Sequence, residues 1–252
     1  MSELGVNQNP EVPEQTVARQ EISFWQRIWG VIVNPGETLR VVAENPTIVW
    51  PLVFMALGNL VGFLITLPKL RGFLVFTFEQ MPKEQYTAEQ IAAIKNYMAG
   101  STAVLSSGIA VILMPLIIWL VYVLIFKFAN LFIGNEAPFK KLYAVAILTY
   151  VPTLLGNLLR SLLVLVSPAE NFGTVTTSAA LLMPKGSTGP LFVALTRLDP
   201  FYIWSLWLLA IGAAYVLKTT TKKTGLIVFA LFFISLVVMA ALATLNPQAA
   251  GA

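Results

Sequence analysis

From Phe201 to Leu217 no residue carries a charge, and this run is bracketed by Asp199-Pro200 on one side and by Lys218, Lys222 and Lys223 on the other. That bracket constrains the fold more than any other stretch. An Asp at a helix N-cap accepts the first free backbone N–H groups. Pro at the next position loses nothing by lacking an N–H. The acid then sits at the positive end of the helix dipole and the lysines at the negative end. A helix of this length and composition is a membrane span. With 57% hydrophobic and 11% charged residues in 252, against about 25% charged in soluble domains, the whole chain is built for lipid.

Four further stretches have the same character. Spans are expected at about 47–67, 103–126, 142–166 and 225–245, with the bracketed run giving a fifth at 198–217. The fold class that follows is all-α: a five-helix membrane domain over 47–245, preceded by interfacial helices at 21–46. Residues 1–20, with Glu3, Glu11, Glu14, Pro10 and Pro13, read as a disordered cytoplasmic arm without a cleaved signal peptide. Residues 246–252 read as a short outer tail.

In the pre-span region Phe24, Trp25, Ile28, Trp29 and Ile32 recur at helical spacing, which suits either the lipid–water boundary or packing on the bundle. Between the first and second spans, Thr87 and Gln90 form a capping box. It starts a helix expected to lie on the outer membrane surface. The segment 167–197 is too interrupted to cross, yet apolar at 179–183 and 191–195. Pro68, Lys69 and Arg71 are expected to end the first span.

Topology follows from the short loops. Lys127, Lys140 and Lys141 lie in one and Lys218, Lys222 and Lys223 in another, and Lys and Arg in short loops mark the cytoplasmic side. The N-terminus is therefore expected inside and the C-terminus outside.

The chain has no Cys and no His. Disulfides, thiol chemistry, Ser-His hydrolysis and His-held metal are excluded. There is no phosphate-cradling Gly-rich loop with Lys-Ser or Lys-Thr. No catalytic residue, metal or other cofactor is expected. The scattered basic residues are membrane flanks, so nucleic acid is not an expected partner. The polar residues near the membrane are Asn59, Tyr150, Asn157, Arg160, Ser205 and Asp199. Gly58 and Gly62 flank Asn59 in a spacing that lets another helix approach closely. We read it as packing within the chain, with a second copy as the alternative. Arg160 and Asp199 both fall at the outer boundary, where a charge is usually paired or snorkels, and we expect them near one another.

Asn34-Pro35, Glu37-Thr38 and Glu44-Asn45-Pro46 lead into the first span, and a basic entry at Phe139 leads to Pro152. With Leu198-Asp199-Pro200-Phe201, Trp204-Ser205 and Ala210-Ile211-Gly212 before the lysine loop, this order of elements resembles the Yip1 domain family, over about 34–245. The resemblance implies five helices and a cytoplasmic N-terminus. Eukaryotic members are linked to vesicle traffic and small GTPases, a role not carried over here, because the short arm and loops are of the bacterial kind. Some bacterial members are associated with ABC export systems, which makes transporter subunits the implied partner.

Two function classes remain. A scaffold or accessory subunit predicts an occluded, apolar bundle interior. A carrier or conduit for a lipid or small solute predicts a polar cavity lined by Asn59, Tyr150, Asn157 and Arg160. The shortage of buried ionisable groups favours the scaffold.

Overall fold

The computed structural model of the chain describes residues 22–80, 86–134, 136–184, 187 and 189–245. The expected disordered arm and outer tail lie outside them. Among the described residues every regular element is helical. Two short helices, α1 (Phe24–Val33) and α2 (Pro35–Glu44), precede α3 (Val49–Gln80), α4 (Ala88–Ala99) and α5 (Ser101–Ile133). Then come α6 (Phe139–Leu148), α7 (Val151–Val166), α8 (Pro190–Arg197), α9 (Pro200–Val216) and α10 (Thr221–Leu245). Among the described residues four units are long and apolar enough to cross a bilayer: α3, α5, α6 with α7, and α10. The fifth candidate is α8 with α9, bent by 54°. Alone, α9 is 17 residues, about 25 Å at 1.5 Å per residue, just short of a ~30 Å hydrocarbon core.

The bracketed run becomes the centre of the molecule. Helix α9 buries Leu206, Leu208, Leu209, Ala210, Ala213 and Val216 and packs on α2, α6, α7 and α10. Gly212 has no room for a side chain, since an added Cβ would collide with Val145 of α6. Thr224 of α10 is fully buried and donates its hydroxyl to the Ala210 carbonyl at 2.7 Å.

Helix α1 opens with a capping box between Ser23 and Gln26, satisfying end groups that have no partner within the helix. Its inner side carries Val31, Ile28 and Ile32 against the core, while Trp25 and Trp29 are about two-thirds exposed. Helix α2 does not lie on the surface of the bundle. Leu39, Val42 and Ala43 are buried against α6 and α9, so this half of the pre-span region is core.

Helix α3 runs 13 residues past the expected end at Leu67, straight through Pro68. The reason is tertiary: its extension packs on the turn at Ala169–Asn171, with Phe73 stacked on Phe172 at 5.6 Å between ring centroids. Gly58 and Gly62 face α7 of the same chain, where added Cβ atoms would lie 2.8 Å from Leu154 and 3.0 Å from Ser161. Pro152 splits the third expected span into α6 and α7 around Thr149 and Tyr150, because it removes one helical donor and its ring crowds the preceding turn.

Candidate functional site

The break before α7 leaves backbone donors without helical partners, and a neighbouring helix supplies one. Ser205 of α9 accepts from the Thr153 backbone N–H at 3.0 Å and from the Thr153 hydroxyl at 2.7 Å. Tyr150 sits in the break itself, its ring edge-on to Trp119 of α5. Its hydroxyl donates to Asn59 Oδ1 at 3.3 Å. Asn157, two turns further along, donates from Nδ2 to the Tyr150 hydroxyl at 3.1 Å and to Asn59 Oδ1 at 3.4 Å. Asn59 returns its own Nδ2 to the Met55 carbonyl at 2.9 Å. Three of the polar residues singled out in the sequence therefore form one triangle. Asn59 is buried, whereas Asn157 faces open space.

Arg160 follows Asn157 by three residues, so both lie on one side of α7. Its Nε donates to the Val175 carbonyl at 2.8 Å and its Nη2 to the Phe172 carbonyl at 3.0 Å. The guanidinium carbon stands 5.2 Å from the centre of the Phe172 ring, within cation–π range. Asp199 does cap α9: Oδ1 accepts from the backbone N–H of Phe201 at 2.8 Å and of Tyr202 at 3.1 Å. Its Oδ2 accepts from the Thr177 hydroxyl. Arg160 and Asp199 are brought to the same cavity but no salt bridge joins them. Each instead holds the 167–197 segment at a different point.

Two cavities meet at Asn157 and Arg160. One, of about 470 Å³, lies between α3, α5 and α7, with Asn59, Thr66, Ser107 and Ser161 among its walls. The other, of about 370 Å³, lies between α5, α7, α9 and the 167–197 segment, with Thr153, Thr177, Arg197 and Asp199 among its walls. Together they form a cleft of mixed polar and apolar lining beneath α5, which packs mainly on α3, α4 and α6. Amides, hydroxyls and guanidinium groups in an apolar bundle can hydrogen-bond a polar or anionic group and hold it in place. Phe172, Thr177 and Thr153 were not singled out in the sequence. The one signal for them was the Ser- and Thr-rich character of 167–197.

The interfacial candidates lie at the opposite end. Phe24 and Trp25 meet Phe54 of α3 edge-on, at 5.6 and 5.8 Å between centroids, and Ile28 turns inward. Among the described residues no three Asp or Glu side chains cluster in a way that could hold a metal ion.

The Yip1 domain family model matches residues 29–242, a span that takes in every wall of the cleft. The chain is also similar to Membrane protein YknW of Bacillus subtilis (strain 168): 28% identical over 232 residues, covering 89% of this chain and 93% of that protein. No solved structure gives a significant match.

Proposed function

The chain belongs to the Yip1 domain family, and from that premise we propose that it is a non-enzymatic, multi-pass cell-membrane protein that holds a lipid or small amphiphile in the cleft between α3, α5, α7 and α9. The observation that carries this reading is the meeting, at Asn157 and Arg160, of two cavities whose walls mix polar and apolar side chains, as an amphiphile requires. Among the described residues, the main occluded apolar cluster, which a pure scaffold would need, is centred on α2, α6 and α9, away from the cleft. The test is native mass spectrometry of the full chain released from mild detergent. At least one amphiphile should stay bound through detergent exchange. Ala110→Trp, which fills the larger cavity, should reduce it several-fold. Equal retention by both proteins would reject the cleft as the binding place.

In this reading α9 is the fifth span, α1 lies along the cytoplasmic lipid boundary with Trp25 and Trp29 in it, and the 167–197 segment, α8 included, is outside. The lysine-bearing short loops support that orientation. A periplasmic signal from a reporter enzyme fused to the N-terminus would reverse it.

A second reading, an accessory subunit of an ABC exporter or of another membrane complex, is favoured by one observation. Fewer than a quarter of the span residues of α5 and α10 are buried within the chain. These faces meet either lipid or another membrane helix, a second copy included. A protein co-purifying at fixed stoichiometry, and lost when Val237 and Ile234 of α10 become polar, would support this reading.

A further inference from the structure

We infer that the cleft's loop end is a binding site for the phosphate of an anionic lipid, with Arg160 and Arg197 as its cationic groups. This rests on the amphiphile-binding reading above and names the headgroup. Both arginines line the 370 Å³ cavity, beside Thr153, Thr176, Thr177 and Asn157, whose side chains hydrogen-bond within the chain. One carboxylate, Asp199, is among the residues that line it, and both of its oxygens are engaged: Oδ1 by two backbone N–H groups, Oδ2 by Thr177. The N-terminus of α9 offsets part of its charge, and neither guanidinium forms a salt bridge with it.

Arg160 spends Nε and Nη2 on carbonyls, which orient it without neutralising it. Among the described residues no carboxylate pairs with it. Arg197 is exposed at the end of α8, and among the described residues no hydrogen bond or ion pair holds it. A guanidinium close to hydrocarbon without a counter-charge is costly. A counter-ion from outside the chain lowers that cost, and guanidinium groups take phosphate oxygens two at a time.

Depth and shape select the lipid form of phosphate over a soluble one. Arg160 lies six residues before the end of α7, about 9 Å along the axis, which a long side chain spans by snorkelling to the phosphate level. On the α5 side the wall is Ile118, next to exposed Ile117 and Val121. Acyl chains can leave the cavity along that apolar surface, whereas free phosphate would gain nothing from it.

The test is a binding titration of the full chain in neutral detergent with four probes: dioctanoyl phosphatidylglycerol, dioctanoylglycerol, glycerol 3-phosphate and inorganic phosphate. The phosphatidylglycerol should bind about tenfold or more tightly than each of the others, as a charge-assisted guanidinium–phosphate contact requires. Arg160→Gln and Arg197→Gln should each weaken it about three- to tenfold and leave dioctanoylglycerol unchanged. Arg160 also holds the 167–197 segment, so Arg197→Gln, which breaks no hydrogen bond, guards against a folding artefact. Its melting temperature should match that of the parent. Equal affinity for phosphatidylglycerol and dioctanoylglycerol would remove the headgroup site and leave amphiphile binding standing. Binding of neither removes both. Inorganic phosphate binding as tightly as phosphatidylglycerol overturns the lipid assignment, and an Arg197→Gln protein with undiminished preference for the anionic lipid overturns the arginine site.

Discussion

The two ends of this bundle are built on opposite terms. At the end where α1 and α2 sit, side chains interlock. Leu142 and Ala144 through Leu148 are almost fully buried, against Leu39 and Val42 of α2 and Leu208, Ala213 and Leu217 around α9. At the end covered by the 167–197 segment, the fully apolar core stops. Leu159, Leu162, Leu163 and Leu165 of α7 are each about two-fifths exposed or more, and the loop is held there by Arg160 hydrogen bonds to its carbonyls together with the Phe73–Phe172 stack. Helices in lipid gain little from the hydrophobic effect and are held by close packing and interhelical hydrogen bonds. The first end uses packing. The second uses polar contacts and leaves space between them. A membrane protein that holds another molecule needs that division, with one end fixing the helices and the other free to admit a guest.

The largest effect should come from opening a void at the packed end. Ile147 is fully buried, and Ile147→Ala should cost about 2–5 kcal/mol through lost contacts and the cavity left behind. Leu163→Ala, at a position 39% exposed, should cost less than about 1 kcal/mol by the same reasoning. Unfolding of both variants in mixed micelles measures the difference, and equal losses would break the contrast between the ends.

Next in size is the seam between them. Ser205 closes the break before α7 by accepting two hydrogen bonds from Thr153. Ser205→Ala leaves a part-buried backbone N–H without its acceptor, at a cost of about 1–3 kcal/mol. Thr153→Val removes only the side-chain donor and should cost about 1 kcal/mol or less, the scale of interhelical bonds in membranes. If the two variants unfold alike, the backbone bond is not what joins α7 to α9.

How much of this was legible in the sequence depends on how far apart the partners are. The Asp199 cap and the Thr87–Gln90 capping box are set within three residues, and local rules find them. The Gly58 and Gly62 pair was legible as a close helix contact, and its partner in the structure is α7 of the same chain. Arg160 was recognisable as a charge needing company, but its company is two carbonyls 12 and 15 residues away, in a segment with no periodicity to fix its path. Pro68 was read as a stop because a proline usually ends a helix. Packing of Phe73 on Phe172 outweighs that tendency and carries α3 onward. The burial of α2 was hidden for a similar reason: Leu39 and Val41 to Ala43 are a short apolar group interrupted by Arg40, and only the path of α9 turns it into core.

The smallest expected effect is the most informative about the open end. Asn157 donates to Tyr150 and Asn59 and so makes two sides of the triangle. Yet without it Tyr150 still donates to Asn59 Oδ1, and Asn59 Nδ2 still reaches the Met55 carbonyl. No buried donor or acceptor is stranded, and the amide itself is exposed in the cleft. Asn157→Ala should therefore change stability by about 0.5 kcal/mol or less, in line with typical interhelical hydrogen bonds in membrane proteins. Amphiphile retention, measured on the same sample, should fall by contrast, because Asn157 belongs to both cavities. A loss of stability above about 1.5 kcal/mol, near the largest values seen for such bonds, would mean that the polar end is held as rigidly as the packed one. Asn157 would then be a strut, and the space beside it would have no claim to a guest.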